Sequence, residues 1–89
     1  MPEVWVPLAA QRLTGGRQRV RVAGSTIRQV VDDLEMAYPG IKAHLCEGDD
    51  IMPGIAVIVD DEATNIGMLA HVQEKSEIHF LPAIGGGMA

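Results

Sequence analysis

The chain has 89 residues and a hydrophobic fraction of 47%, enough for one folded domain and too short for two separate cores. A formal charge of -5 argues against nucleic-acid backbones and anionic membranes as partners, since both are recognised through an excess of Lys and Arg. With one Trp, one Tyr and one Phe, the core must be aliphatic.

Charge is unevenly placed. Arg12, Arg17, Arg19, Arg21 and Arg28 fall early, whereas Glu47, Asp49, Asp50, Asp60, Asp61 and Glu62 follow later, which predicts a dipolar molecule. Cys46 is the single cysteine, so no intrachain disulfide forms. The first residues lack the basic-then-apolar pattern of a secretory leader, and no apolar run approaches the roughly 20 residues of a membrane span. A cytoplasmic protein is expected.

In chain order, Glu3 to Leu8 reads as a strand with Val4, Val6 and Leu8 on one face and Trp5 and Pro7 on the other. Leu13-Thr14-Gly15-Gly16 signals a hairpin turn, because Gly takes positive φ without steric cost. Arg17 to Val22 alternates with period two, the arginines on one face and Gln18, Val20 and Val22 on the other. Thr26 followed by Gln29 fits a capping box that opens a helix. Ile27, Val30, Val31, Leu34 and Tyr38 then make a one-sided apolar stripe, leaving Asp32, Asp33 and Glu35 mostly to water. Pro39-Gly40 ends this helix after about fourteen residues. Ile41 to Cys46 reads as a helical turn, Glu47 to Asp50 as a polar loop, and Ile55 to Val59 as a buried strand. Asp60-Asp61-Glu62 turns the chain, and Ala63 to Val72 fits a short strand or a helical turn equally. Glu77 to Leu81 is the last strand. A mixed sheet of four to five strands with one main helix on one face accommodates this order, an α+β architecture.

Beyond the last strand and Pro82 comes Ala83-Ile84-Gly85-Gly86-Gly87-Met88-Ala89. Three successive glycines have no side chain to bury and a high ordering cost. They predict residues 1–82 as the folded domain and 83–89 as a flexible tail, thin enough to thread a channel where any Cβ would clash. The passage from Glu77 to Gly87 resembles the C-terminus of the ubiquitin-like sulfur carriers. These include the small subunit of molybdopterin synthase and the carriers of thiamine and cysteine pathways. The opening hairpin, the helix ending Tyr38-Pro39-Gly40 and the strand Ile55 to Val59 follow in the matching order, so the likeness spans nearly the whole chain.

The resemblance implies the β-grasp fold and a carrier, not an enzyme. A partner activating enzyme adenylates the terminal glycine carboxylate with ATP. Sulfur then displaces AMP to leave a thiocarboxylate, which is delivered to a synthase in cofactor or amino-acid biosynthesis. Family members ready for activation end in Gly-Gly, whereas this chain continues with Met88-Ala89. The implied working terminus is therefore Gly87, in a tail segment Gly85-Gly86-Gly87, exposed by cleavage between Gly87 and Met88. A zinc-dependent metallopeptidase is the implied trimming enzyme. ATP and zinc belong to partner enzymes, and the chain itself binds no cofactor. The same tail would serve a ubiquitin-like modifier conjugated through Gly87, and the fold alone would serve a plain interaction domain.

Other side chains suggest less. Cys46 has acidic neighbours that disfavour a thiolate, so a structural role is expected. His44, His71 and His79 lack metal-ligand spacing. Asp49-Asp50 and Asp60-Asp61-Glu62 lack the spaced ligands of a calcium loop and read as solvated turns. Arg17, Arg19 and Arg21 are the wet face of a strand or a dock for an acidic partner. Strand alternation turns Trp5, His79 and Leu81 outward, beside Pro82, as an apolar partner-docking patch at the root of the tail.

Overall fold

A computed structural model describes residues 1–82. The expected tail, with Gly85, Gly86, Gly87 and Met88, lies outside the described residues.

Period-two alternation yields β1 (Glu3–Trp5) and β2 (Arg19–Arg21), paired antiparallel with Val4 opposite Val20. The last strand, β7 (Glu77–Pro82), lies beside β1 in parallel, with Val4 opposite Ile78 and Trp5 opposite His79. Its other neighbour is β5 (Ile55–Val59), antiparallel, with Val57 opposite Phe80. The two-residue β6 (Glu62–Ala63) completes a five-stranded mixed sheet in the order β2-β1-β7-β5-β6. First and last strands thus share the centre of the sheet, the β-grasp arrangement.

Helix α1 (Ile27–Ala37) covers the inner face. Thr26 Oγ1 accepts from the Gln29 amide at 3.3 Å, as the capping box requires. The reciprocal bond reaches one residue further back than that motif expects: Gln29 Oε1 accepts from the Ser25 amide at 2.8 Å. Ile27, Val30, Val31 and Leu34 are fully buried in one core with Val4, Val20, Val57, Ile78 and Phe80. Each such side chain contributes about 1.5–3 kcal/mol by leaving water. Gly24 lets the chain enter the helix closely, since a Cβ there would lie 2.8 Å from the Val30 amide nitrogen. The helix has 11 residues, shorter than the apolar stripe suggests, because Tyr38 already departs from helical geometry ahead of Pro39. Glu35 then closes the exit: its carboxylate accepts from the amides of Gly40 and Lys42 at 3.0 and 2.9 Å.

Several local expectations are corrected. The first strand stops at Trp5 and does not reach Leu8. Glu3 donates to the Ser76 carbonyl at 2.9 Å. Continuing this parallel register would bring the nitrogen of residue 7 to the Phe80 carbonyl, and Pro7 has no hydrogen to give. The chain instead winds into a 3-10 helix, Leu8–Thr14, so Leu8 faces solvent at 83% exposure. The connection to β2 is therefore this helix, not a tight hairpin turn at Gly15-Gly16. Gly15 terminates it in the left-handed region at φ 68°.

Lys42–Leu45 is a helical turn, α2, as expected. The loop expected at Glu47 to Asp50 is the tip of a small hairpin, β3 (Cys46–Glu47) with β4 (Asp50–Ile51). Ala63 to Val72 holds the end of β6 and a 3-10 turn, Gly67–Leu69. Asp60 and Asp61 form the two-residue turn between β5 and β6, with φ of 51° and 71°. Asp60 does more than face water: its carboxylate accepts from Ser76 Oγ at 2.8 Å and the Glu77 amide at 2.9 Å. No helix among the described residues is long and apolar enough to cross a membrane.

The two amide bonds hold the Glu35 carboxyl below its ordinary value of 4.5. A depressed folded-state value adds stability that is complete above that range and is lost as pH falls through it. Urea midpoints measured across acid pH should therefore fall less steeply for Glu35→Gln than for the parent, the difference confined to pH below about 5.

Candidate functional site

Because β7 lies between β1 and β5, the described chain ends at Pro82 within the middle of the sheet. The outer face of the sheet, opposite α1, is ordered along the strands. The end far from Pro82 carries Arg21, Glu3 and Glu77 in register. The next row reads Arg19, Trp5, His79 and Ile58 across four strands. Leu81 opposite Ala56 follows, next to Pro82. The face thus changes from charged to apolar toward Pro82.

Trp5 organises this face. Its ring meets His79 edge-on, centroids 5.0 Å apart, and the Arg19 guanidinium carbon lies 5.0 Å from its ring centroid. Trp5 Nε1 and His79 Nε2 are shielded from solvent and have no hydrogen-bond partner among the described residues. Beside this pair, a groove of about 720 Å³ runs between the Pro7-Leu8-Ala9 segment and the end of β7. Leu8 and Leu81 stand on its rim at 83% and 48% exposure.

The structure brings three of the sequence-selected residues, Trp5, His79 and Leu81, onto one face, and β7 extends through Pro82 beside them. Sequence alternation placed Leu8 in the core, and the structure adds it to this groove instead. Pro7 was the available signal: a strand that runs out of amide donors must turn there. Gly85, Gly86, Gly87 and the Gly87–Met88 bond lie outside the described residues. Cys46, directly after α2, is buried, and burial pushes its thiol pKa up, against the partial relief of Lys42. A thiol whose pKa is raised is a weaker nucleophile at neutral pH.

Leu8 and Phe80 border the same groove but differ in what they support. Leu8→Asp should change unfolding stability by no more than about 0.5 kcal/mol. Phe80→Ala, which empties a core position, should cost about 3–5 kcal/mol. Urea denaturation of both variants checks the division.

Comparison with known proteins agrees with this geometry. The ThiS family model matches residues 4–87. The "Sulfur carrier protein CysO" of Mycobacterium tuberculosis is 31% identical over 91 residues, covering 94% of this chain and 96% of the relative. A chain in the crystal structure of the Amycolatopsis orientalis BexX/CysO complex superimposes with a TM-score of 0.88 at 32% identity, covering 98% of this chain and 100% of that one. The crystal structure of Mycobacterium tuberculosis CysO, described as an antigen, gives 0.85 at 26% identity, over 93% of this chain and 99% of that one. With its fold and nearly its full length matched, the chain belongs to the ThiS family of β-grasp sulfur carriers.

Proposed function

We propose that the chain carries sulfur as a thiocarboxylate on Gly87, after a peptidase removes Met88-Ala89. The observation that carries this reading is the match to a sulfur carrier over nearly the whole chain, with the family model running to residue 87. Met88 and Ala89 fall just beyond that match.

The chemistry follows from the terminus. A free carboxylate is a poor electrophile. Attack of its oxygen on the α-phosphorus of ATP forms an acyl-adenylate and releases pyrophosphate. A sulfur nucleophile adds to the activated carbonyl and expels AMP, leaving a thiocarboxylate. That group is in turn a competent nucleophile, so one carbonyl serves as acceptor and then as donor. The folded domain supplies recognition, not catalysis. Its partners are an ATP-dependent activating enzyme, a trimming metallopeptidase and a sulfur-accepting synthase in cofactor or amino-acid biosynthesis.

The docking face in this reading comprises Trp5, His79, Leu81 and Pro82, with Leu8 added. It lies at the root of the tail, so an enzyme holding Gly87 in its active site reaches this face without releasing it. A partner that displaces the Trp5–His79 edge contact also gives their unsatisfied nitrogens something to bond.

Two chains, one ending at Gly87 and one at Ala89, should be incubated with the host's activating enzyme, ATP and sulfide. The chain ending at Gly87 should gain about 16 Da, the exchange of oxygen for sulfur. The chain ending at Ala89 should remain unchanged until Met88-Ala89 is removed. Equal loading of both would overturn the assignment of Gly87.

A further inference from the structure

Strand β2 forms one edge of the sheet, and Arg17, Arg19 and Arg21 lie exposed along it and its approach. The ion pairs among the described residues join Met1 to Glu74 and Lys42 to Asp32. Arg28 is engaged with the Asp49 carbonyl at 3.3 Å. The three edge arginines meet no carboxylate at ion-pair distance among the described residues, although the chain has 12 acidic and only 7 basic residues. Glu3 sits opposite Arg21 in register and still forms no ion pair with it.

Protection of a sheet edge against aggregation explains a charge there but not its sign, since any charge blunts an edge. The opposite edge of the same sheet carries Glu62. Two observations set the β2 edge apart. A groove of about 430 Å³ runs along it, lined by all three arginines with Glu3, Val20 and Tyr38. Arg19 is also held in place, its guanidinium against the Trp5 ring. A cation fixed on an aromatic surface has less side-chain freedom to lose when a carboxylate arrives. Trp5 also meets His79 and lines the apolar groove, so the basic edge adjoins that groove.

We propose that this edge docks an acidic segment of the activating enzyme. Carboxylates of that segment face Arg17, Arg19 and Arg21, while an apolar side chain beside them enters the groove between Trp5, Leu8 and Leu81. The proposal rests on the sulfur-carrier reading and adds the chemistry by which the partner is selected. A nucleic acid would fit this surface poorly. The net charge is -5, Glu3 lines the groove, and the adjoining surface is apolar. Opposed charge patches act mainly on the encounter rate and on partner choice, so the effect belongs in kcat/KM and its salt dependence.

The test compares two double variants with the same change in net charge, using the chain ending at Gly87 and the host's activating enzyme. Arg17→Glu/Arg21→Glu reverses the edge and leaves the Arg19–Trp5 contact in place. Arg28→Glu/Lys75→Glu makes the same reversal elsewhere. Fluorescence of Trp5, the only tryptophan, reports whether each variant keeps the native outer face. Arg17→Gln/Arg21→Gln provides a milder edge variant and should give an intermediate loss.

For the parent chain, kcat/KM should fall as ionic strength rises. The edge variant should lose about tenfold at low salt and lose most of that salt dependence, with kcat at saturation within about twofold. The control should stay within about twofold of the parent. Equal losses in both doubles would show an effect of net charge alone, and full activity in the edge variant would show that the arginines are bystanders. Either result overturns the proposal, as does saturable binding of a short DNA duplex at physiological salt. Loading of the parent with no effect of edge reversal leaves the carrier reading intact and removes only the edge assignment. A parent chain that gains no sulfur removes both.

Discussion

The parallel pairing of β1 with β7 is the constraint on which the rest of the molecule depends. It joins the two ends of the domain at the centre of the sheet, so the strand that releases the tail is flanked on both sides. On the inner face the pairing sets Val4 beside Ile78 under α1, in the middle of the core. On the outer face the same register sets Trp5 beside His79. One ladder therefore anchors the fold and builds the outer face that carries Trp5 and His79. Such a pairing closes nearly the full length of the chain, and it repays that entropy only when the helix covers the inner face.

Pro7 decides where this ladder stops. Because it cannot donate to Phe80, β1 parts from β7 just where β7 runs on toward Pro82. The gap becomes the apolar groove, and the 3-10 helix beyond Pro7 presents Leu8 on its rim. A longer first strand would have buried Leu8 and closed the groove. The unsatisfied nitrogens of Trp5 and His79 fit the same picture. Both nitrogens lie on the outer face, in side chains that line the groove.

The architecture was legible because its signals are periodic. The stripe Ile27, Val30, Val31 and Leu34 permits one helix face, and the alternations around Val4, Val20 and Ile78 permit one inner sheet face. The outward placement of Trp5, His79 and Leu81 followed from the same alternation. What escaped were features made by single residues. Leu8 was assigned by continuing a period past a proline. The β5–β6 turn uses Asp60-Asp61 without a glycine, so the usual hairpin signal is missing, and the side-chain bonds from Asp60 to Ser76 and Glu77 that support it join distant parts of the chain. The hairpin of Cys46–Glu47 with Asp50–Ile51 is too short for any period to register. The glycine tail was conspicuous as composition, and its meaning came from the strand that precedes it and from the family likeness.

In this account the domain and its tail divide the work: the domain is recognised, and Gly87 is chemically changed. The most direct test is the intact mass of the sulfur-loaded protein isolated from its own host. The account predicts a chain that ends at Gly87, lacks Met88-Ala89 and carries sulfur in place of one terminal oxygen. A sulfur-loaded form that retains Met88 and Ala89 would contradict it.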